Sequence, residues 1–292
     1  MFSSLCSLLS ALGSRPLSIV WLLGFLGACG GSGSGAPRTE VVPFGDSENA
    51  PDVVLLTVSG RTLNFADLSC PPECNVAYLG EPGDAGEAIK TELSNLGFSV
   101  DVAHYIAAWE SFDEPDRLGC RQLIANLAWI AANWPDTRIV LAGHSHGCVW
   151  AHNVVSVVTE IEIDVLISID GVSTQWEGDH KPSIVAWIAK QGGTPYAHDI
   201  ADVTEKWVVG TKALDTKDVV FDHVAFNIEV QSARDCGLCF LFDDVDNVRG
   251  DGSEDGIVRH LSTVDDHSAS HRAGSESMTF VLDQLTGLVA DP

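Results

Sequence analysis

The chain has 292 residues, with 16 Lys plus Arg against 41 Asp plus Glu, a formal net charge of −25. A polyanion of this kind is repelled by nucleic-acid phosphates and by anionic lipid headgroups, which argues against a DNA-binding, RNA-binding or charge-driven membrane-surface role. With 45% hydrophobic and 20% charged residues it is not disordered throughout, and its length suits one large α/β domain.

The apolar run Leu17 to Cys29 is 13 residues long. A membrane-spanning helix needs about 20 residues, so the run reads as the core of a signal peptide over residues 1–28. It ends in Leu26-Gly27-Ala28-Cys29, which resembles the lipobox of bacterial lipoproteins. That resemblance implies cleavage before Cys29, acylation of Cys29, and a membrane anchor in the bacterial cell envelope. The absence of Asp at position 30 fits the outer membrane, and an ordinary secretory signal with a secreted product is the alternative. Residues 29–50, beginning with a Gly/Ser stretch to Gly35, read as a lipidated Cys and flexible linker, leaving 51–292 as the folded domain.

Within that domain strand and helix signals alternate. Val53 to Val58 is a buried-strand run, and Val76 to Leu79 is a second short apolar stretch. Asp84 followed by Glu87 resembles a capping box, with Ile89, Leu93 and Leu96 at helical spacing and Gly97 closing the helix. Phe98, Val100 and Val102 alternate as in a strand. Leu118 to Trp134 reads as a helix stopped by Pro135, Arg138 to Ala142 as a strand, and His146 to Thr159 as a helix. Val165 to Ile169 is the next strand, and Pro182 to Lys190 a helix ending at Gly192-Gly193. Further strands are expected at 206–209, 224–230 and 257–261, and a last helix from Ser275 to Val289. This alternation predicts a single α/β domain with a mostly parallel sheet and helices on both faces.

The chemistry concentrates at Gly143-His144-Ser145-His146-Gly147, a G-x-S-x-G pattern that directly follows a strand and directly opens a helix. A sharp strand-to-helix turn lifts the serine oxygen above the sheet, and the glycines remove side chains that would collide there. On these residues the sequence resembles the α/β-hydrolase superfamily over residues 50 to 290. The resemblance implies Ser145 as nucleophile, with the backbone N–H of His146 at the helix N-terminus facing a developing oxyanion. Family order places an acid and then a histidine after the serine. The base then falls in the loop before the last helix, where His267 is expected and His271 is the alternative. For the acid, Asp170 ends the strand after the nucleophile helix, a position similar to that in the pancreatic-lipase-like branch. Asp215, after the next strand, is the alternative. A second oxyanion N–H is expected from Arg61, in the Ser59-Gly60-Arg61 loop after the first strand. His144 and His146 are read as shaping the pocket, and His223 and His260 as structural.

Eight cysteines accompany the export signal. Cys70/Cys74 and Cys236/Cys239 are spaced for local disulfides, and Cys120 and Cys148 sit on apolar helical faces as core. Asp251, Ser253, Asp255 and Gly256 match the start of a calcium loop, but the closing position 262 is Ser, so a solvated acidic loop is the expectation. The segments 172–182, with Trp176, and 211–255 are candidate lids or pocket walls. The whole predicts a serine hydrolase of carboxylic esters, lipid or small acyl, with no cofactor or metal in its chemistry. An amidase or peptidase on the same triad, and a non-catalytic surface-binding module of the same fold, are the alternatives.

Overall fold

A computed structural model describes residues 44, 50–61, 75–112, 117–232 and 245–290. The signal-peptide reading, Cys29, the linker before residue 44 and both predicted disulfide pairs lie outside the described residues. Among the described residues ten strands occur in chain order: β1 (Val53–Val58), β2 (Val100–Tyr105), β3 (Arg138–His144), β4 (Ile163–Ile169), β5 (Trp207–Val209), β6 (Lys212–Leu214), β7 (Val219–Val220), β8 (Val224–Ser232), β9 (Val248–Arg249) and β10 (Ile257–Ser262). The helices are α1 (Ala85–Asn95), α2 (Cys120–Asn133), α3 (His146–Val157), α4 (Trp176–Gln191) and α5 (Glu276–Ala290).

Six strands form one sheet in the order β10-β8-β4-β3-β1-β2, with every neighbouring pair parallel. Parallel strands need both faces covered, which is why β1 and β4 read as nearly unbroken apolar runs. On one face Val54, Leu56 and Val58 meet Leu123 and Leu127 of α2, Val149 and Trp150 of α3, and Trp176 and Ile184 of α4. On the other, Val53, Leu55, Val140 and Ile167 meet Ile89 and Leu93 of α1 and Met278, Val281 and Leu285 of α5. The predicted α/β architecture, a single domain with helices on both faces, is therefore the observed one.

Three details differ from the sequence expectation. Asp84 precedes α1 but makes no cap; its carboxylate instead accepts from His271 and Arg272, and Glu87 reaches back to the Gly83 N–H at 2.6 Å. The helix expected from Pro182 begins six residues earlier, at Trp176. Trp176, His180, Ile184 and Trp187 form one buried stripe at helical spacing, so Trp176 is core and not lid. The strand expected at 206–209 is β5, paired antiparallel with β6 in a hairpin outside the main sheet. No described helix is long and apolar enough to cross a membrane.

The chain leaves β1 outward to β2 and returns to β3 on β1's other side. Loops from the carboxyl ends of β1 and β3 thus depart to opposite faces, leaving a crevice at that edge where open α/β sheets bind ligands. The β1 loop carries Gly60 and Arg61, and the β3 end carries Ser145.

Candidate active site

Ser145 joins β3 to α3 with φ 58° and ψ −130°. A non-glycine residue held there costs on the order of 1–3 kcal/mol, and such strain persists only where surrounding contacts impose it. The contacts are visible. The Ser145 N–H donates to the Ile169 carbonyl at 3.1 Å, and its carbonyl accepts from Cys148 and Val172. A Cβ on Gly147 would lie 2.0 Å from the Val58 carbonyl oxygen, so only glycine lets α3 approach β1 this closely. Gly60 is constrained in the same way, since its Cβ would meet the Ser145 Cβ at 2.5 Å.

Asp170 ends β4, also in a left-handed conformation at φ 49°. Its carboxylate accepts from the Ser232 N–H (2.9 Å), the Ser232 hydroxyl (2.6 Å) and His267 Nδ1 (2.7 Å). The aspartate is buried, and His267 joins it from the loop between β10 and α5, far away in sequence. Asp170 and His267 are thus brought together as the sequence expectation had them. Asp215 is not part of this cluster: it caps a short 3-10 turn at Thr216–Asp218 and accepts from the Glu205 N–H. His271 is held by Asp84 at 3.1 Å instead of by Asp170.

His267 is positioned from behind by a chain that the sequence did not reveal. The Gly60 N–H donates to Tyr78 Oη at 2.8 Å, and Tyr78 Oη lies 2.5 Å from His144 Nδ1. His144 Nε2 lies 2.9 Å from the His267 carbonyl, with the two rings stacked 4.7 Å apart. A carbonyl only accepts, so His144 carries its proton on Nε2, and Nδ1 accepts from the Tyr78 hydroxyl. Burial, reinforced by His267 and His271, holds the His144 pKa well below the usual range, so the ring stays neutral. Burial likewise pushes the Tyr78 hydroxyl up, keeping it a proton donor. Tyr78 lies on a 3-10 turn in the stretch that sequence marked only as short and apolar.

On the other side of Ser145, His146 is the first residue of α3, where a backbone N–H has no acceptor within its own helix. Its ring lies against the loop after β4, with Nε2 on the Thr174 carbonyl at 2.9 Å. Arg61 reaches across to Asp179 (3.0 Å) and Gln175 (3.2 Å) on α4 and its N-terminus. A cavity of about 460 Å³ lies beyond, lined by Ser173, Thr174, Gln175, Thr204, Asp215 and Val245, among others. Both segments that the sequence marked as pocket walls contribute to it. Among the described residues of the acidic loop, Asp251 accepts from the Ser253 N–H, and Ser262, at the closing position, donates to Glu276.

No family model matches the sequence, and no curated protein matches it. Among solved structures, the chain is similar to mouse alpha/beta hydrolase domain-containing protein 10, at 11% identity and TM-score 0.44, over 81% of this chain and 89% of that one. It is similar to dienelactone hydrolase from Anabaena variabilis at 11% identity and TM-score 0.43, over 83% and 87%. It is also similar to Est1E from Butyrivibrio proteoclasticus at 13% identity and TM-score 0.39, over 84% and 92%. Likenesses this distant decide neither the fold nor the chemistry of this chain; strand order and side-chain geometry do.

Proposed function

We propose that the protein is a serine hydrolase that cleaves small carboxylic esters through Ser145, His267 and Asp170. The observation that carries the reading is the 2.7 Å bond between Asp170 and His267 Nδ1, at the same sheet edge as a serine held at φ 58°. With Nδ1 engaged by a buried carboxylate, Nε2 is the ring nitrogen that takes the Ser145 proton as the hydroxyl attacks the acyl carbonyl. Asp170 fixes the tautomer and stabilises the imidazolium. The tetrahedral oxyanion is met by the backbone N–H of His146, at the positive end of α3, and by that of Arg61. The proton then passes to the leaving alkoxide, and water activated by the same histidine releases the acid from Ser145.

The 460 Å³ cavity is lined in part by Thr174, which bonds the His146 ring, and by Gln175, which bonds the Arg61 side chain, and this reading takes it as the substrate pocket. Its walls are mostly hydroxyl, amide and carboxylate groups, which favours a short, polar acyl or alcohol group over a long lipid chain. Signal cleavage before Cys29 and acylation there would hold the enzyme on the bacterial envelope, a reading that rests on the Leu26–Cys29 sequence alone. The test is hydrolysis of p-nitrophenyl esters of increasing acyl length by full-length protein and by Ser145→Ala, with fluorophosphonate labelling alongside. Turnover confined to short esters, with turnover and labelling both lost on Ser145→Ala, is the expected outcome. Folded wild-type protein that neither turns over nor labels would leave the non-catalytic binding module as the better account.

A further inference from the structure

On the α4 side of Ser145, three side chains converge that ester hydrolysis does not use: His146, Asp179 and His180. One potential ligand atom from each lies within 4.8 Å of the others. His180 is almost wholly buried, yet neither of its ring nitrogens has a hydrogen-bond partner among the described residues. The Nδ1 of His146, also buried, has none either. Two buried, unpartnered imidazoles side by side are costly, since each polar atom has left water without replacement. The rings of Trp150 and Trp176 pack at 5.1 Å from His180; their indole N–H groups could donate to an imidazole lone pair, but neither makes a hydrogen bond among the described residues, so the tryptophans do not satisfy these nitrogens.

We propose that His146, His180 and Asp179 form a binding site for a divalent transition metal, zinc being the best fit. The His146 tautomer is already set for it. Nε2 faces a backbone carbonyl and must carry the proton, which leaves the lone pair on Nδ1, a nitrogen with no hydrogen-bond partner among the described residues. Asp179 supplies the oxygen and keeps its ion pair to Arg61 at 3.0 Å, the kind of outer hydrogen bond that orients a ligating carboxylate. Two imidazoles and a carboxylate suit zinc, and three protein ligands leave a fourth position for water or another ligand. Tetrahedral bonding brings ligand atoms to about 3.5 Å of one another, so the side chains close by about an ångström. Burial holds both histidines below the usual range, His146 at about 4, so their lone pairs are available at neutral pH. Asp179 is a quarter exposed, and Gly178 before it lines the 460 Å³ cavity, which gives the ion a route in. Such a metal would tie the start of α3, one residue from Ser145, to α4. It would fix a wall of the active site without entering the proton transfers.

The test is zinc binding by the full-length protein after chelator treatment, read by equilibrium dialysis, by Tm and by the visible spectrum of the cobalt-loaded form. About one zinc per chain is expected, with a Tm that rises with zinc concentration and an intense tetrahedral cobalt spectrum. His180→Ala is expected to lose binding at least tenfold. So is Asp179→Asn, whose partly exposed position makes it the safer variant to fold, while the peripheral His260→Ala keeps binding. Wild-type protein that takes up no zinc, or variants at 179 and 180 that bind as wild type does, would overturn the assignment. Ser145→Ala must bind zinc as wild type does, so the outcome is independent of whether the protein hydrolyses esters.

Discussion

Two histidine clusters flank Ser145, and they are built differently. Toward α1 and α5, His144 has both ring nitrogens bonded, His267 is held by Asp170, and His271 by Asp84. Toward α4, His146 and His180, packed among aromatic rings, leave three ring nitrogens without a hydrogen-bond partner among the described residues. The first cluster fixes tautomers, which is what a group that must take up and return a proton requires. The second presents lone pairs, which is what a group that must bind something requires. The contrast matches the two proposed roles, proton transfer and metal binding, which sequence alone lumps together as histidines near a serine.

The sharpest way to break this division is through the first cluster. Ser145→Ala should lower kcat/KM on the order of 10⁵-fold with the fold intact, measured on a short p-nitrophenyl ester. Asp170→Asn should cost about 10⁴-fold, because an amide no longer fixes the His267 tautomer. Asp215→Asn, in the 3-10 cap, should stay within a few-fold of wild type by comparison; equal losses at the two positions would reopen the choice of acid. His271→Ala is expected to retain far more activity than His267→Ala in the same assay.

Smaller effects probe the supporting chain. Tyr78→Phe removes the hydroxyl between Gly60 and His144 and should lower kcat about tenfold with KM little changed, one hydrogen bond being worth roughly that much. A KM effect of the same size would mean that Tyr78 binds substrate instead of holding His267. The smallest effect is on pH dependence. His146, His152 and His271 are each held down to about 4, chiefly by burial. Between that value and the unfolded-state pKa near 6.5, the unfolded chain binds more protons than the native one, so stability rises with pH across this window. The Tm should therefore fall by at least about 5 °C from about pH 7 to about pH 4.5. A flat Tm over that interval would contradict the burial of neutral rings on both sides of the serine.

The elements that sequence made legible were those whose signal is local. β1 matches its apolar run residue for residue, and β3, α3 and α5 fall within a few residues of expectation. The elbow was visible because its glycines, strand and helix are contiguous. Asp170 and His267 were expected from the resemblance to α/β-hydrolases, which sets the order of acid and histidine after the serine, and the fold brings the two within hydrogen-bond distance. Tyr78 escaped because its partners, Gly60 and His144, come from two other strand ends. The first two turns of α4 escaped because the Pro182 ring looked like a helix start, although 176, 180, 184 and 187 already spelled a helical stripe. Asp84 misled for a related reason: a carboxylate before a helix reads as a cap unless one knows that Arg272 will arrive beside it.

The contact between Gly147 and the Val58 carbonyl has a consequence for how the protein comes to life. Those two residues are distant in the chain and meet only when β1 and β3 are paired and α3 is docked over them. Parallel pairing of this kind closes a long loop and belongs among the slower steps of folding. The distorted serine cannot exist in a collapsed but incompletely ordered chain, because nothing there would hold it against its own preference. If Ser145 is the nucleophile proposed above, its reactivity is a late property, acquired with the central sheet, and a chain still in transit or held unfolded carries an ordinary hydroxyl at that position.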